Sequence, residues 1–159
     1  MENLEIFSQV IQFRGHRNVL GTHRNTLEIT RDHTISKRAD CIIGVEANCG
    51  CAGLDPKIKN HIKTGGHLRF EISVEGSSYD FSGRGSPNLD LSDPDEMVFR
   101  KSDFVSPRTA AISCNIAAID LPRELIRLLQ NPQNFGSLKV IALKESNNLA
   151  FQAPRIEFF

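Results

Sequence analysis

The chain has 159 residues, 40% of them hydrophobic and 24% charged, which is the composition of a globular domain rather than of a disordered segment. Nineteen Lys and Arg residues balance nineteen Asp and Glu residues, and this zero net charge argues against a polybasic nucleic-acid binder. No apolar run approaches the roughly 18 residues of a membrane span, and the N-terminus "MENLEIFSQV" does not resemble a signal peptide. We therefore expect a single cytoplasmic domain, with no membrane partner and with reduced thiols.

The first half of the chain predicts an N-terminal strand followed by strand, strand, helix and strand. The helix has Asp55 as its N-cap candidate and Pro56 in its first turn, and it stops before Gly65 and Gly66. Apolar runs rich in Ile and Val predict the strands. The predicted elements are strands at 4–13, 24–30 and 40–46, a helix at 56–64 and a strand at 67–75.

The second half predicts the same order again. Its strands are expected at 96–100, 109–116 and 137–145, and its Pro-led helix at 121–130. A last possible strand, "APRIEFF", would cover 153–159.

Short sequences recur at an offset of 70 residues. "RGHRNV" at 14–19 aligns with "RGSPNL" at 84–89, and "GHLRFEISVE" at 66–75 aligns with "GSLKVIALKE" at 136–145. Such self-similarity indicates an internal duplication. We therefore predict one domain over 1–159, with repeats at about 14–75 and 84–145 and a C-terminal extension at about 132–159.

Two such halves cannot bury both faces of a small sheet separately, and interleaving them removes exposed edges. We therefore predict an α+β fold, mainly β. It is a closed pseudo-twofold β-barrel of two strand-strand-helix-strand repeats with two flanking helices, similar in order to the cradle-loop barrels. In such a barrel the two Arg-Gly loops would meet at one end.

Several runs resemble the archaeal domain of unknown function 371 family over roughly residues 4–131. They are "FRGHRNVLGTHRNTLEIT", "DCIIGV", "RGSPNLDLSDPDEMVFRKSDFV" and "DLPRELIRLL". The resemblance implies an archaeal origin but supplies no mechanism. The chain departs from the family pattern at Asn25, where Thr is usual, and at Ser86, where a second His is expected.

The densest polar cluster contains the candidate catalytic residues His16, His23 and Glu28. Histidine titrates near neutral pH and is a common metal ligand, so His16 and His23 with Asp93 predict a possible zinc, iron or manganese site. The alternative is that these histidines cap turns and bond backbone groups.

A second interpretation places a small anionic ligand at the two Arg-Gly loops. Arg14 and Arg84 would donate to its carboxylate or phosphate, while the alternative pairs both arginines with the acids of "DLSDPDE". The remaining candidate ligand-binding residues are Asn18, Thr22, Asn88, Arg100 and Lys101.

Two other classes of function stay open. Residues 14–38 with Arg100 and Lys101 form a basic stripe suited to RNA phosphates, although the chain has no Trp and only one Tyr for base stacking. The other class is a purely structural or assembly protein. Cys49 and Cys51 form a weaker candidate for metal or redox chemistry. The sequence decides neither whether the protein is an enzyme nor its oligomeric state.

Overall fold

The computed structural model of the protein describes residues 4–144, and within them the chain forms eight strands and two α-helices. The mainly β composition with two helices matches the prediction. The predicted strand at 153–159 lies outside the described residues. The elements are β1 (Leu4–Arg14), β2 (Thr26–Thr30), β3 (Ile42–Gly44), α1 (Pro56–Lys63), β4 (His67–Val74), β5 (Ser77–Arg84), β6 (Glu96–Arg100), β7 (Thr109–Ala111), α2 (Arg123–Leu129) and β8 (Phe135–Lys144).

The strands are arranged in two four-stranded sheets. The first sheet has the order β1-β8-β4-β5, and the second sheet has the order β3-β2-β6-β7. Both orders are symmetric: exchanging each strand for its counterpart in the other half gives the same order read backwards. The centre of each sheet is therefore a pair made by both halves, β8 with β4 and β2 with β6, both antiparallel.

The predicted closed barrel is wrong, because neither sheet closes on itself or continues into the other. The backbone pairing between the edges of the two sheets is limited, in the described residues, to two isolated bridges, Arg14 with Val45 and Arg84 with Ile112. The physical reason is the length of β3 and β7, which have three residues each and cannot extend a ladder along β1 and β5.

Strand β5 was missed in the sequence, although it is the counterpart of β1. Its residues Ser-Ser-Tyr-Asp-Phe-Ser-Gly-Arg alternate exposed polar side chains with the inward Tyr79 and Phe81. Strand β5 follows β4 through a tight turn in which Glu75 and Gly76 both have positive φ, 46° and 82°. That conformation is typical of a two-residue hairpin.

The core lies between the two sheets. Phe70 of β4 stacks on Phe81 of β5 at 4.7 Å between ring centroids and meets Phe99 of β6 edge-on at 4.9 Å. Leu27 and Ile29 of β2 are also fully buried on this side of the second sheet. The opposite side of the second sheet is unusual, because it buries the polar residues Glu28 and Thr30 beside Val98.

The two helices pack their apolar sides inward, with Ile58 and Ile62 of α1 and Leu129 of α2 buried. Asp55 caps α1 as predicted, since its carboxylate accepts a 2.8 Å hydrogen bond from the backbone N–H of Lys57. Among the described residues, no helix is both long and apolar enough to cross a membrane.

Candidate functional site

The two Arg-Gly loops do not meet, which contradicts the expectation of one site built from both. Arg14 and Arg84 end the two opposite edge strands of the first sheet, β1 and β5, which run in opposite directions. The row of partners that begins at Arg84 passes through His67 and Leu143 to Glu5, at the other end of β1 from Arg14. The arginines therefore lie at opposite corners of the sheet.

His16 and His23 each cap a turn. The Nδ1 atom of His16 accepts a 3.0 Å hydrogen bond from the backbone N–H of Asn18. The Nδ1 atom of His23 accepts from the backbone N–H groups of Asn25 and Thr26, both at 3.1 Å. These contacts correspond to the turn-capping alternative.

The second half satisfies the same backbone groups with other side chains. The hydroxyl of Ser86 accepts from the N–H of Asn88 at 3.2 Å, as His16 does for Asn18. The Oδ1 atom of Asp93 accepts from Asp95 and Glu96 at 2.8 and 2.9 Å, as His23 does in the first half. Within residues 4–144, no three His, Cys, Asp or Glu side chains come together as a metal site, so the proposed set of His16, His23 and Asp93 is not assembled.

Asn18 and Thr22 hold two loops together. The side-chain amide of Asn18 donates to the carbonyl of Ile35 at 2.8 Å, and the backbone N–H of Thr22 donates to the carbonyl of Asp40 at 3.0 Å. Loop 15–25 therefore packs against loop 31–41.

Lys101 and Arg100 have partners within the protein. The ammonium of Lys101 lies 3.0 Å from a carboxylate oxygen of Asp120. Arg100 donates from Nε to the hydroxyl of Thr109 at 2.8 Å, and its guanidinium lies 4.9 Å from the centre of the Phe104 ring.

Arg14 and Arg84 have different surroundings despite their equivalent positions. Arg14 lies 3.8 Å from the carboxylate of Glu46, and its guanidinium covers the Phe135 ring at 4.9 Å. The isolated bridges place Ser113 at the position that corresponds to Glu46, and both residues have positive φ, 51° and 52°. Neither arginine contacts the "DLSDPDE" acids, and among residues 4–144 Arg84 has no ion pair or side-chain hydrogen bond.

Arg84 lines a groove of about 420 Å³ between the end of α1 and the junction of β4, β5 and β8. The sequence interpretation missed His61 and His67, although in "NHIKTGGH" His67 directly follows a glycine pair and His61 precedes it by four residues. The imidazole of His61 packs on Gly66 and contacts the carbonyl of His67 through Nε2 at 2.8 Å. The lining residues are Ile6, His61, Thr64, Gly65, Gly66, His67, Arg84, Leu143 and Lys144.

Glu28 occupies a separate polar cluster on the outer side of the second sheet. It is 3% exposed, and its Oε1 atom lies 3.4 Å from the sulfur of Cys41 and 3.7 Å from Arg108. Arg108 also lies 2.7 Å from the carboxylate of Glu96. Burial raises the pKa of Glu28 to about 7, and the negative charge of Glu96 is the second cause of this increase.

The cysteines are not activated. Burial raises the pKa of Cys41 and of Cys114 to about 12, and it raises the pKa of Cys51 and Cys49 as well. A neutral thiol is a poor nucleophile and a poor metal ligand, so this geometry does not favour the Cys49–Cys51 pair as a redox or metal centre.

Comparisons with known proteins agree with the resemblance in the sequence. The chain is 36% identical over 121 residues to an uncharacterised protein of Methanocaldococcus jannaschii, which covers 76% of this chain and 90% of the relative. A family model described as a domain of unknown function (DUF371) matches residues 11–142, from within β1 to within β8. The chain therefore belongs to this domain-of-unknown-function family.

Proposed function

We propose that the protein binds a small organic anion in the groove beside Arg84. The observation that carries this proposal is the composition of the groove. Arg84, Lys144 and His61 line it, and no carboxylate side chain does so among the described residues. Ile6 and Leu143 supply an apolar side to the same groove.

The chemistry of the lining sets the ligand class. A guanidinium offers a planar pair of N–H donors that matches a carboxylate or a phosphate, and Lys144 adds a second positive charge. The apolar Ile6 and Leu143 suit the carbon skeleton of the ligand. The volume of about 420 Å³ falls in the usual range of small-molecule sites.

The comparison with Arg14 supports the proposal. At that corner Glu46 neutralises the arginine and Phe135 covers it, whereas the corresponding positions at Arg84 are Ser113 and His67. The internal duplication thus provides a neutralised corner with a smaller cavity of about 120 Å³ at Arg14 and a cationic corner with the larger groove at Arg84.

The test is a calorimetric titration with phosphate, pyrophosphate and citrate as probes, on the wild-type protein and on Arg84→Gln. Loss of a charge-assisted, bidentate contact is expected to weaken binding roughly 10- to 100-fold. Arg14→Gln is the matched control and should bind like the wild type, because Glu46 already occupies that arginine.

A third variant, Ser113→Glu, places a carboxylate where Glu46 stands in the other half. It is expected to weaken anion binding while Arg84 is still present. Equal binding by all variants, or an equal loss in Arg14→Gln and Arg84→Gln, would contradict the proposal and indicate nonspecific attraction.

A second candidate function is the binding of RNA on the packed loops 15–25 and 31–41. Arg17, Arg24, Lys37 and Arg38 are exposed on these loops, and none of them has an ion-pair partner within the described part of the chain. The same titrations with a single-stranded oligoribonucleotide at two salt concentrations distinguish the sites. RNA binding would weaken with salt and in Arg17→Gln/Arg24→Gln, but not in Arg84→Gln.

A further inference from the structure

Two loops end on adjacent positions of the second sheet. Loop 31–41 ends at Cys41, whose carbonyl accepts a 2.9 Å hydrogen bond from the N–H of Glu28. Loop 101–108 ends at Arg108, whose carbonyl accepts a 2.8 Å hydrogen bond from the N–H of Val98. Glu28 and Val98 are direct partners across β2 and β6, so their side chains share one side of the sheet. The loop ends therefore flank the Glu28–Val98 pair, and the side chains of Cys41 and Arg108 both reach Glu28 and close over it.

The side chain of Glu28 lies beneath the two loop ends, and only one of its two carboxylate oxygens has polar contacts. Its Oε1 atom faces the thiol of Cys41 and the guanidinium of Arg108. Its Oε2 atom is buried and finds no hydrogen-bond donor within residues 4–144. An ionised carboxylate with a buried, unpartnered oxygen is costly, while a neutral carboxyl group loses much less by burial.

The neighbours relieve this cost only in part, because burial and Glu96 raise the pKa of Glu28 more than Arg108 and the thiol of Cys41 lower it. From β6, Glu96 adds a second negative charge, and Arg100 is held by Thr109 and the Phe104 ring. From the loop, Arg108 is closer to Glu96, at 2.7 Å, than to Glu28, at 3.7 Å. The thiol of Cys41 is neutral. The closed arrangement therefore favours the protonated form of Glu28.

We propose that loops 31–41 and 101–108 form a proton-dependent lid, which stays closed while the Glu28 carboxyl holds a proton and opens when the proton leaves. Opening lets water reach the carboxylate and the thiol of Cys41. The lid is independent of the Arg84 groove, because it lies on the other sheet.

The direction of the pH dependence follows from the two states. Closure raises the pKa of Glu28 from an ordinary 4.5 to about 7, so the closed lid keeps a proton that the open lid releases. Opening therefore becomes up to about tenfold more favourable for each pH unit between these two values. Above pH 7 both states are ionised, and the dependence levels off.

The test is amide hydrogen exchange between pH 4.5 and 8.5, corrected for the intrinsic exchange rate. The reporters are the N–H groups of Glu28 and Val98, which bond the two loop ends. In the wild type their opening is expected to rise with pH and then level off. In Glu28→Gln the opening should be independent of pH, while Glu124→Gln, a change on the exposed side of α2, should behave like the wild type.

Two further measurements keep the proposal falsifiable. Glu96→Gln removes one cause of the raised pKa, so the levelling-off should move to lower pH. At pH 8, Cys41 should be alkylated more slowly in Glu28→Gln than in the wild type, although removal of the neighbouring negative charge alone would make this thiol more reactive. A wild type with no pH dependence, or the same dependence in a folded Glu28→Gln variant, would overturn the proposal.

Discussion

At the scale of single residues, the two halves solve one local problem with different chemistry. The turn before β2 offers two backbone N–H groups to His23, and the turn before β6 offers the equivalent pair to Asp93. An imidazole nitrogen and a carboxylate oxygen are both acceptors, so either one ends the loop and starts the strand. A histidine in a polar cluster thus resembles a catalytic residue in the sequence while serving the backbone in the fold.

This equivalence gives a direct prediction. His23→Asp is expected to keep nearly full stability at pH 7.5, whereas His23→Ala should lower the free energy of unfolding by about 1 kcal/mol, because the two N–H groups lose their acceptor. Urea unfolding of both variants measures the difference. Asp93→Ala is the counterpart control and should lose a similar amount. A His23→Asp variant as unstable as His23→Ala would show that the imidazole has another role.

At the scale of elements, each Arg-Gly loop packs closely against the C-terminal end of a helix. A Cβ on Gly85 would collide with the backbone carbonyl of Ile62 at the end of α1. A Cβ on Gly15 would meet the carbonyls of Leu129, the last residue of α2, and of Asn131. The repeated glycine therefore records a close backbone approach, and this accounts for its recurrence better than a shared ligand does.

Gly85→Ala is accordingly expected to destabilise the protein by about 3 kcal/mol, because neither backbone segment can move without disturbing the sheet. Gly76→Ala is the contrasting change. No heavy atom lies within 4 Å of its added Cβ, so only the positive φ opposes it, at about 1 kcal/mol. Thermal and urea unfolding should rank the two variants in this order, and the opposite order would contradict the packing argument.

The elements themselves were largely predictable, because periodic apolar runs and the Asp55–Pro56 helix start are local signals. The features that the sequence did not predict depend on contacts between distant residues. Strand β5 is mostly Ser and Asp on its exposed side, and only its pairing with β4 identifies it. The groove was not predicted for the same reason. Arg84 and Lys144 become neighbours through strand register and His61 through the packing of α1, and no spacing in the sequence reveals either.

At the scale of the whole molecule, the backbone is duplicated but the charge is not. Residues 14–38 carry six Lys and Arg against two acids, whereas 80–103 carry three against six. An ion pair joins the two segments at one end of the β2–β6 pair, between Arg31 and Asp95 at 3.6 Å. The zero net charge thus conceals a basic segment and an acidic segment, and for this reason composition was a poor guide to the local sites.

The pairing of the first and last described strands has a consequence for how the chain is connected. Leu4 and Lys144 are register partners, and the link between the two halves is the tight turn at Glu75 and Gly76. The fold therefore does not depend on which half comes first along the chain. A circular permutant that starts at Gly76, joins Phe159 to Met1 and ends at Glu75 should fold with the same sheets, as its circular dichroism and amide spectra would show. A permutant opened between Val98 and Phe99, within a central strand, should not fold.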